Sequence, residues 1–269
     1  MIKNILILLC FLPFTAYCME QSEIVDLFSQ SKEYFRQAVK IAPSQPEEAK
    51  KLYQQAAMRL ERIVQEGKLR NGKLFYNLGN IYFRMENIGK AIVNYRKAQY
   101  YIPNDPNLQQ NLAYARKKRI DRVEEKPQTQ ALKILFFWHY DFSAQFRMIA
   151  FVFCFTMLWF LASLRLFYRK NFLFWGIAFF SFLSFALFAS LFSGYVYEKT
   201  TYPGVIIEKE VIARKGDGET YSPSFEQPLH AGTEFILIED RKEWKYIELS
   251  DGRTCWLPAS SVEIINLLY

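Results

Sequence analysis

Hydrophobic positions along this chain change their period twice. From Glu23 to Ile41 and from Glu47 to Glu66, either side of a break at Pro43 and Pro46, apolar residues recur at three-and-four spacing with charges between them. The same rhythm returns over 72–105 and fades by Ile120, which predicts amphipathic helices that each bury one face. Polar punctuation then disappears, with no charged residue from Met148 to Leu164 or from Asn171 to Tyr197. Beyond Gly204 the apolar runs shorten and alternate (VIIEKEVIAR, TEFILIEDR, EWKYIEL), broken by Gly, Asp and Pro, the pattern of short strands in a small β domain.

The two uncharged runs are long enough, or nearly so, to cross a hydrocarbon core as helices of about 20 residues. As a buried hairpin of a soluble protein they would find too little chain to cover them. Between them Arg165, Arg169 and Lys170 face no acidic residue. Short loops with such an excess stay cytoplasmic, so these three residues are the topology determinants and both flanks are expected outside. The N-terminus agrees independently. Lys3, the apolar stretch Ile5–Phe14, and Ala16 with Cys18 read as an export signal over 1–18. Retention of Cys18 as a lipidated residue stays open as an alternative. Ala131–Phe142, ALKILFFWHYDF, reads as an interfacial segment or as a continuation of the first span. His139 and Asp141 are two apart and share no helical face, which argues against a proton relay built from them.

The clearest repeat unit is 72–105. Phe75, Leu78, Gly79, Tyr82, Ala91, Tyr95, Ala98 and Pro103 fall at the spacing of a tetratricopeptide unit of about 34 residues, and the segment resembles that family. Small Gly79, Ala91 and Ala98 let two helices approach, the larger residues fill the seam, and Pro103 stops the second helix. One unit cannot bury its own faces. Ala49, Tyr53 and Ala56 mark a degenerate neighbour upstream, and Asp105-Pro106 opens a capping helix downstream, so two repeats plus a cap are expected over 19–126. The resemblance implies a peptide groove lined by first-helix residues: Tyr76, Asn80, Phe83 and Arg84, with Asn111, Tyr114 and Lys118 from the next helix. Its Asn and basic residues partly resemble a carboxylate clamp, but Tyr76 stands where such clamps carry Lys. A plain aromatic and basic groove is the preferred reading. The run Arg116-Lys117-Lys118-Arg119 is read as a solvated helix end.

In the C-terminal part, Val211, Ala213 and Arg214 precede Gly216-Asp217-Gly218. His230-Ala231-Gly232-Thr233, Trp244 and Asp251-Gly252-Arg253 follow, leading to Trp256 and Pro258. This order resembles the bacterial SH3 domain, over 203–265. The resemblance implies an SH3-like barrel with Trp244 and Trp256 packing it or lining a binding surface. Cys255 replaces the Gly that usually precedes the second Trp and is read as a small filler.

Charge sharpens this division. The formal net charge is +7, yet 19–126 carries 20 Lys/Arg against 13 Asp/Glu while 203–269 carries 7 against 12. An acidic module beside a basic one is compatible with docking, and dispersed basic residues without a nucleic-acid motif argue against nucleic-acid binding. Cys154 and Cys255 lie in unlike segments and are not expected to pair. No phosphate loop, metal-spaced Cys/His cluster or nucleophile motif is present, so neither enzyme activity nor a cofactor is expected.

The fold class is therefore multidomain: an all-α tetratricopeptide-repeat solenoid, two transmembrane helices, and a C-terminal all-β SH3-like barrel. The expected limits are 1–18 signal, 19–126 repeat domain, 131–146 interfacial segment, 147–164 first span, 165–170 loop, 171–197 second span and 203–265 β module. This whole order resembles the BatE family of the Bat (aerotolerance) operon. The resemblance implies a membrane-anchored periplasmic scaffold working beside other Bat membrane proteins, with lipid contact through both spans. A peptidoglycan-binding anchor acting through the SH3-like module is the alternative.

Overall fold

The computed structural model describes residues 19–124, 126, 131–132 and 134–265; the expected signal, 1–18, lies outside them. The chain divides into two compact units, one ending at Arg70 and one beginning at Asn71.

In the first unit α1 (Gln21–Ile41) and α2 (Pro46–Gln65) form a helical hairpin. Pro46 occupies the first turn of α2, where its missing N–H has no helical partner to lose. Leu27 and Ala38 meet a stripe of Ala49, Tyr53, Ala56, Leu60 and Ile63, all buried. Ser31 is the polar member of this seam, and its hydroxyl donates to the Ala56 carbonyl at 2.9 Å, so its burial leaves no unmet group.

The second unit opens with α3 (Gly72–Arg84), α4 (Ile88–Tyr101) and α5 (Pro106–Lys117). Each start is capped from its own sequence: Asn71, Asn87 and Asp105 accept from the amides of Lys73, Lys90, and Asn107 with Leu108. The α3–α4 seam buries Phe75, Leu78, Tyr82, Ala91, Tyr95 and Ala98. Gly79 makes the close approach: a Cβ there would lie 2.5 Å from the Tyr95 ring.

A short helix α6 (Phe137–Tyr140) ends before Ser143, whose hydroxyl caps a new helix by accepting from Phe146 N–H, so the aromatic stretch does not simply continue the next helix. Two helices long and apolar enough to cross a membrane follow, α7 (Ala144–Phe167) and α8 (Asn171–Thr200). Both run past the expected limits. Arg165 falls in the last turn of α7, over the Phe174 ring at 4.8 Å, leaving 168–170 as the connection. A cation in a last turn suits the helix dipole.

Strands β1 (Tyr202–Ile206), β4 (Glu234–Arg241), β5 (Trp244–Leu249), β6 (Thr254–Pro258) and β7 (Val262–Ile264) form an antiparallel sheet in the order β6-β5-β4-β1-β7. β2 (Glu210–Val211) and β3 (Leu229–His230) pair separately. The expected SH3-like barrel is thus not closed. Residues 212–228 hold Gly216, Gly218, Pro223 and Pro228 and form no strand long enough to zip along β6, and only the Arg214–Trp256 bridge joins them there. One core still serves both pieces: Ile206, Val211, Leu229, Phe235, Ile247, Leu249, Cys255 and Leu257. Burial pushes the Cys255 thiol up to about 12, against the pull of Arg253, as befits a filler that does not ionise.

Gly79→Val tests the repeat seam. Replacing a helical glycine by valine gains only about 0.4 kcal/mol in propensity, and Tyr95 is 1 % exposed and fixed by a 2.8 Å hydrogen bond to Asn80. Overpacking at about 1–3 kcal/mol should prevail, lowering the thermal midpoint followed by circular dichroism in detergent.

Candidate functional site

The expected groove lies along α3 and α5. Asn111 Nδ2 donates to the Tyr76 hydroxyl (3.0 Å) and to Asn80 Oδ1 (2.9 Å), and Asn80 Oδ1 also accepts from Tyr95. Three of the seven candidate residues thus brace the two helices against each other. Phe83 meets Tyr114 with ring centroids 5.5 Å apart, and Lys118 lies 5.7 Å from the Tyr114 centroid. Arg84, Tyr114 and Lys118 are exposed. With the Asn111 donors engaged, the exposed candidates are the Tyr114 ring with Lys118 beside it, and Arg84.

A different face of the same helices carries the sheet. α4 packs on β1, and Gly89 permits it, since a Cβ there would lie 2.6 Å from the Ile206 carbonyl oxygen. Gly232 meets the helices from the other side. Its φ of +92° favours glycine, and a Cβ would press on Arg119, Ile88 and Ile92 at 3.0–3.1 Å. Around this contact Arg116 makes a two-pronged pair with Glu234 (2.8 and 2.7 Å), joined by Arg119 (3.3 Å) and Arg96 (3.4 Å). Lys97 reaches Glu263 at 2.6 Å and Lys126 reaches Glu248 at 2.6 Å. Asp121 accepts from the His230 amide (2.6 Å), the Thr233 hydroxyl (2.7 Å) and the His230 ring Nδ1 (2.8 Å). Val123 packs against the sheet core. A cleft lined by Arg96, Tyr100, Tyr197, Lys199 and Tyr202 marks where α8 hands over to β1 beside α4.

Comparison with family models identifies one segment. Residues 72–105 match the tetratricopeptide repeat. This stretch is α3, α4 and the turn after them, the pair whose seam Gly79 and Tyr95 close, and repeats of this kind are protein–protein interaction modules. A comparison with curated proteins found no match.

The tetratricopeptide unit therefore has its second helix, α4, committed to the β module while exposed groove residues stay open. Electrostatics make that commitment strong. Burial alone would raise the Glu234 pKa, but the three guanidinium groups more than offset it and hold it below the ordinary carboxylate value. Burial likewise opposes the Asp121 charge, and the hydrogen bonds from Thr233 and His230 bring its pKa below the ordinary value. Arg116 and Arg119, read from sequence as part of a solvated run, are half-buried partners of Glu234. Arg116 sits in the last turn of α5 and Arg119 just past its end, where Arg119 Nε donates to the Arg116 carbonyl (3.1 Å), while Lys117 and Lys118 between them are exposed. Glu234, Asp121 and Gly89 were not singled out in the sequence, because their partners lie 115–138 residues away for Glu234 and 109–112 for Asp121. The unequal charge of the two modules was the available signal.

Of the two tryptophans, Trp256 is buried, stacked on Tyr246 at 5.0 Å and covered by the Arg241 guanidinium at 4.6 Å. Arg241 is held in turn by Asp217 and Glu239. Trp244 is half-buried. Arg169 and Lys170 lie in the short connection between α7 and α8, and Arg165 in the helix end beside it.

Glu234→Gln leaves three arginines around a neutral amide and should cost about 3–5 kcal/mol of docking, read as faster hydrogen exchange in α4 and β1. Glu234 and Asp121 both have depressed pKa values in the folded chain. Their contribution is complete above the ordinary carboxylate range and is lost as pH falls through the lower folded values. Docking should therefore hold at neutral pH and loosen below about pH 4, with the same exchange measurement as the readout.

Proposed function

We propose that this chain is a membrane-anchored scaffold that presents a tetratricopeptide groove to a protein partner on the periplasmic face of a bacterial inner membrane. The observation that carries the reading is the exposed trio Arg84, Tyr114 and Lys118, which stays open while α4 is occupied by the β module. A groove of one aromatic face and two cations suits an extended peptide with acidic and apolar side chains. The basic connection Arg165, Arg169, Lys170 supports a cytoplasmic turn and outward-facing flanks.

The order of modules supports a BatE-like role, assembling with other membrane proteins of a Bat-type complex in envelope stress or oxygen tolerance, without catalysis by this chain. On this reading the β module, SH3-like in its sequence order, is a structural partner of the repeat. The covering of Trp256 by Arg241 supports that assignment over wall binding.

In-cell crosslinking followed by detergent purification tests the scaffold. Arg84→Glu with Lys118→Glu should reduce recovery of membrane-protein partners at least about tenfold, equivalent to about 1.4 kcal/mol. Recovery of peptidoglycan fragments alone, dependent on the residues after Gly204, would replace it with a wall anchor. Alkaline phosphatase fused after residue 200 should be active and fused after residue 170 inactive; the opposite pattern would contradict the orientation.

A further inference from the structure

The first turn of α7 holds a charge that membrane spanning leaves unexplained. Arg147 is 8 % exposed, and every group it bonds is neutral. Its Nη1 donates to the Ser190 hydroxyl (2.7 Å), the Ser190 carbonyl (3.2 Å) and His139 Nδ1 (2.8 Å). A guanidinium only donates, so Nδ1 is the acceptor there, and His139 is a neutral ring with its proton on Nε2. The Ser190 hydroxyl lies 2.9 Å from the same Nδ1. Among the described residues no carboxylate hydrogen-bonds Arg147, and its Nε is buried without a hydrogen-bond partner. Glu198 attracts this charge from beyond bonding distance, so the cluster has donors in excess and no anion in contact with it, which a low-dielectric setting makes costly.

Its depth indicates what can supply the missing anion. At 1.5 Å per residue, residues 171–190 of α8 rise about 30 Å, the thickness of a hydrocarbon core. Ser190, and with it Arg147 and His139, thus falls at the boundary far from the basic connection, where lipid phosphates begin. Tyr195 and Tyr197 are exposed just beyond, as rings at the headgroup level are, and Glu198 ends the uncharged run.

The backbone beside the cluster is bare. Gly194 stands one turn beyond Ser190, and a Cβ on it would lie 3.8 Å from Arg147 Nη2 and 4.0 Å from His139 Cε1. The missing side chain leaves a methyl-sized notch at contact distance from the guanidinium and from the imidazole edge next to the Nε2 proton.

We propose that Arg147, His139 and the notch over Gly194 bind the phosphate of an outer-leaflet phospholipid, with guanidinium and imidazole N–H groups donating to its oxygens. This rests on the reading of α7 and α8 as membrane spans. An acidic side chain from a partner's span would meet the same charge, but the phosphodiester is the anion the bilayer itself supplies at this level.

The test uses the full chain purified in detergent, incubated with phosphatidylglycerol or with diacylglycerol of the same acyl chains, with retained lipid counted by native mass spectrometry. The native chain should retain phosphatidylglycerol at least about tenfold over diacylglycerol, equivalent to about 1.4 kcal/mol. Arg147→Gln should lose that preference and Arg147→Lys should keep part of it. Gly194→Leu should lose it with the arginine intact. Equal retention by the native chain and Arg147→Gln would overturn the proposal. So would unchanged lipid counts accompanied by loss of a co-purifying membrane protein, which would assign the notch to a partner's carboxylate. Alkaline carbonate extraction separates the two levels: release of the native chain from membranes would overturn the spanning reading, whereas a retained chain without lipid preference would overturn only the site.

Discussion

Glu234 is a carboxylate held between a helical repeat and a sheet by Arg96, Arg116 and Arg119, with its side chain 19 % exposed. An ionised group so enclosed is tolerable only while its partners stay in place, because losing any of them leaves charge without solvent. The glycines on both sides of the contact enforce the same arrangement sterically, Gly89 under Ile206 and Gly232 over Ile88 and Ile92. Two modules far apart in sequence, with the whole apolar hairpin between them, therefore belong to one compact unit. The chain leaves the repeat at α5, passes through α6 to α8, and returns as β1 against α4, where Arg96 and Tyr100 share a cleft with Tyr197 and Lys199. This return places the repeat beside the end of α8 and ties the groove to the segment proposed to leave the membrane.

The division of labour among the helices follows from that constraint. α4 is spent on packing, with Gly79 letting it close on α3 and Gly89 letting it close on β1. Along α3 and α5, Asn80, Asn111 and Tyr76 form a rigid brace and Arg84, Tyr114 and Lys118 remain exposed, the residues proposed for recognition. A groove held by internal hydrogen bonds and backed by a second module loses little freedom when it binds, which favours affinity from few contacts.

Features whose signal is local are legible in the sequence. The repeat was legible because Gly79, Ala91, Ala98 and their aromatic neighbours repeat a spacing that only one helix pairing satisfies, and the apolar helices because charge vanishes from long runs. The sheet was legible as alternation, but its closure was not: whether 212–228 forms a strand depends on pairing with β6, and the glycines and prolines there resolved it as loop. Docking was hinted at by opposite net charge and hidden in detail, since which of four consecutive cations meet Glu234 is set by where α5 ends, at Lys117, and how the chain turns after it. His139 shows the same limit. Weighed against its neighbour Asp141 it looked inert, while its partners Arg147 and Ser190 lie 8 and 51 residues away.

The docking of repeat and sheet is most directly tested by the distance distribution between spin labels at positions 117 and 215, both exposed, measured by pulsed electron resonance on the full chain in a lipid bilayer at neutral pH. One narrow distribution in the native chain, broadened by Glu234→Gln, is the predicted result. A broad distribution indifferent to that substitution would mean that the modules move independently, and would contradict the account.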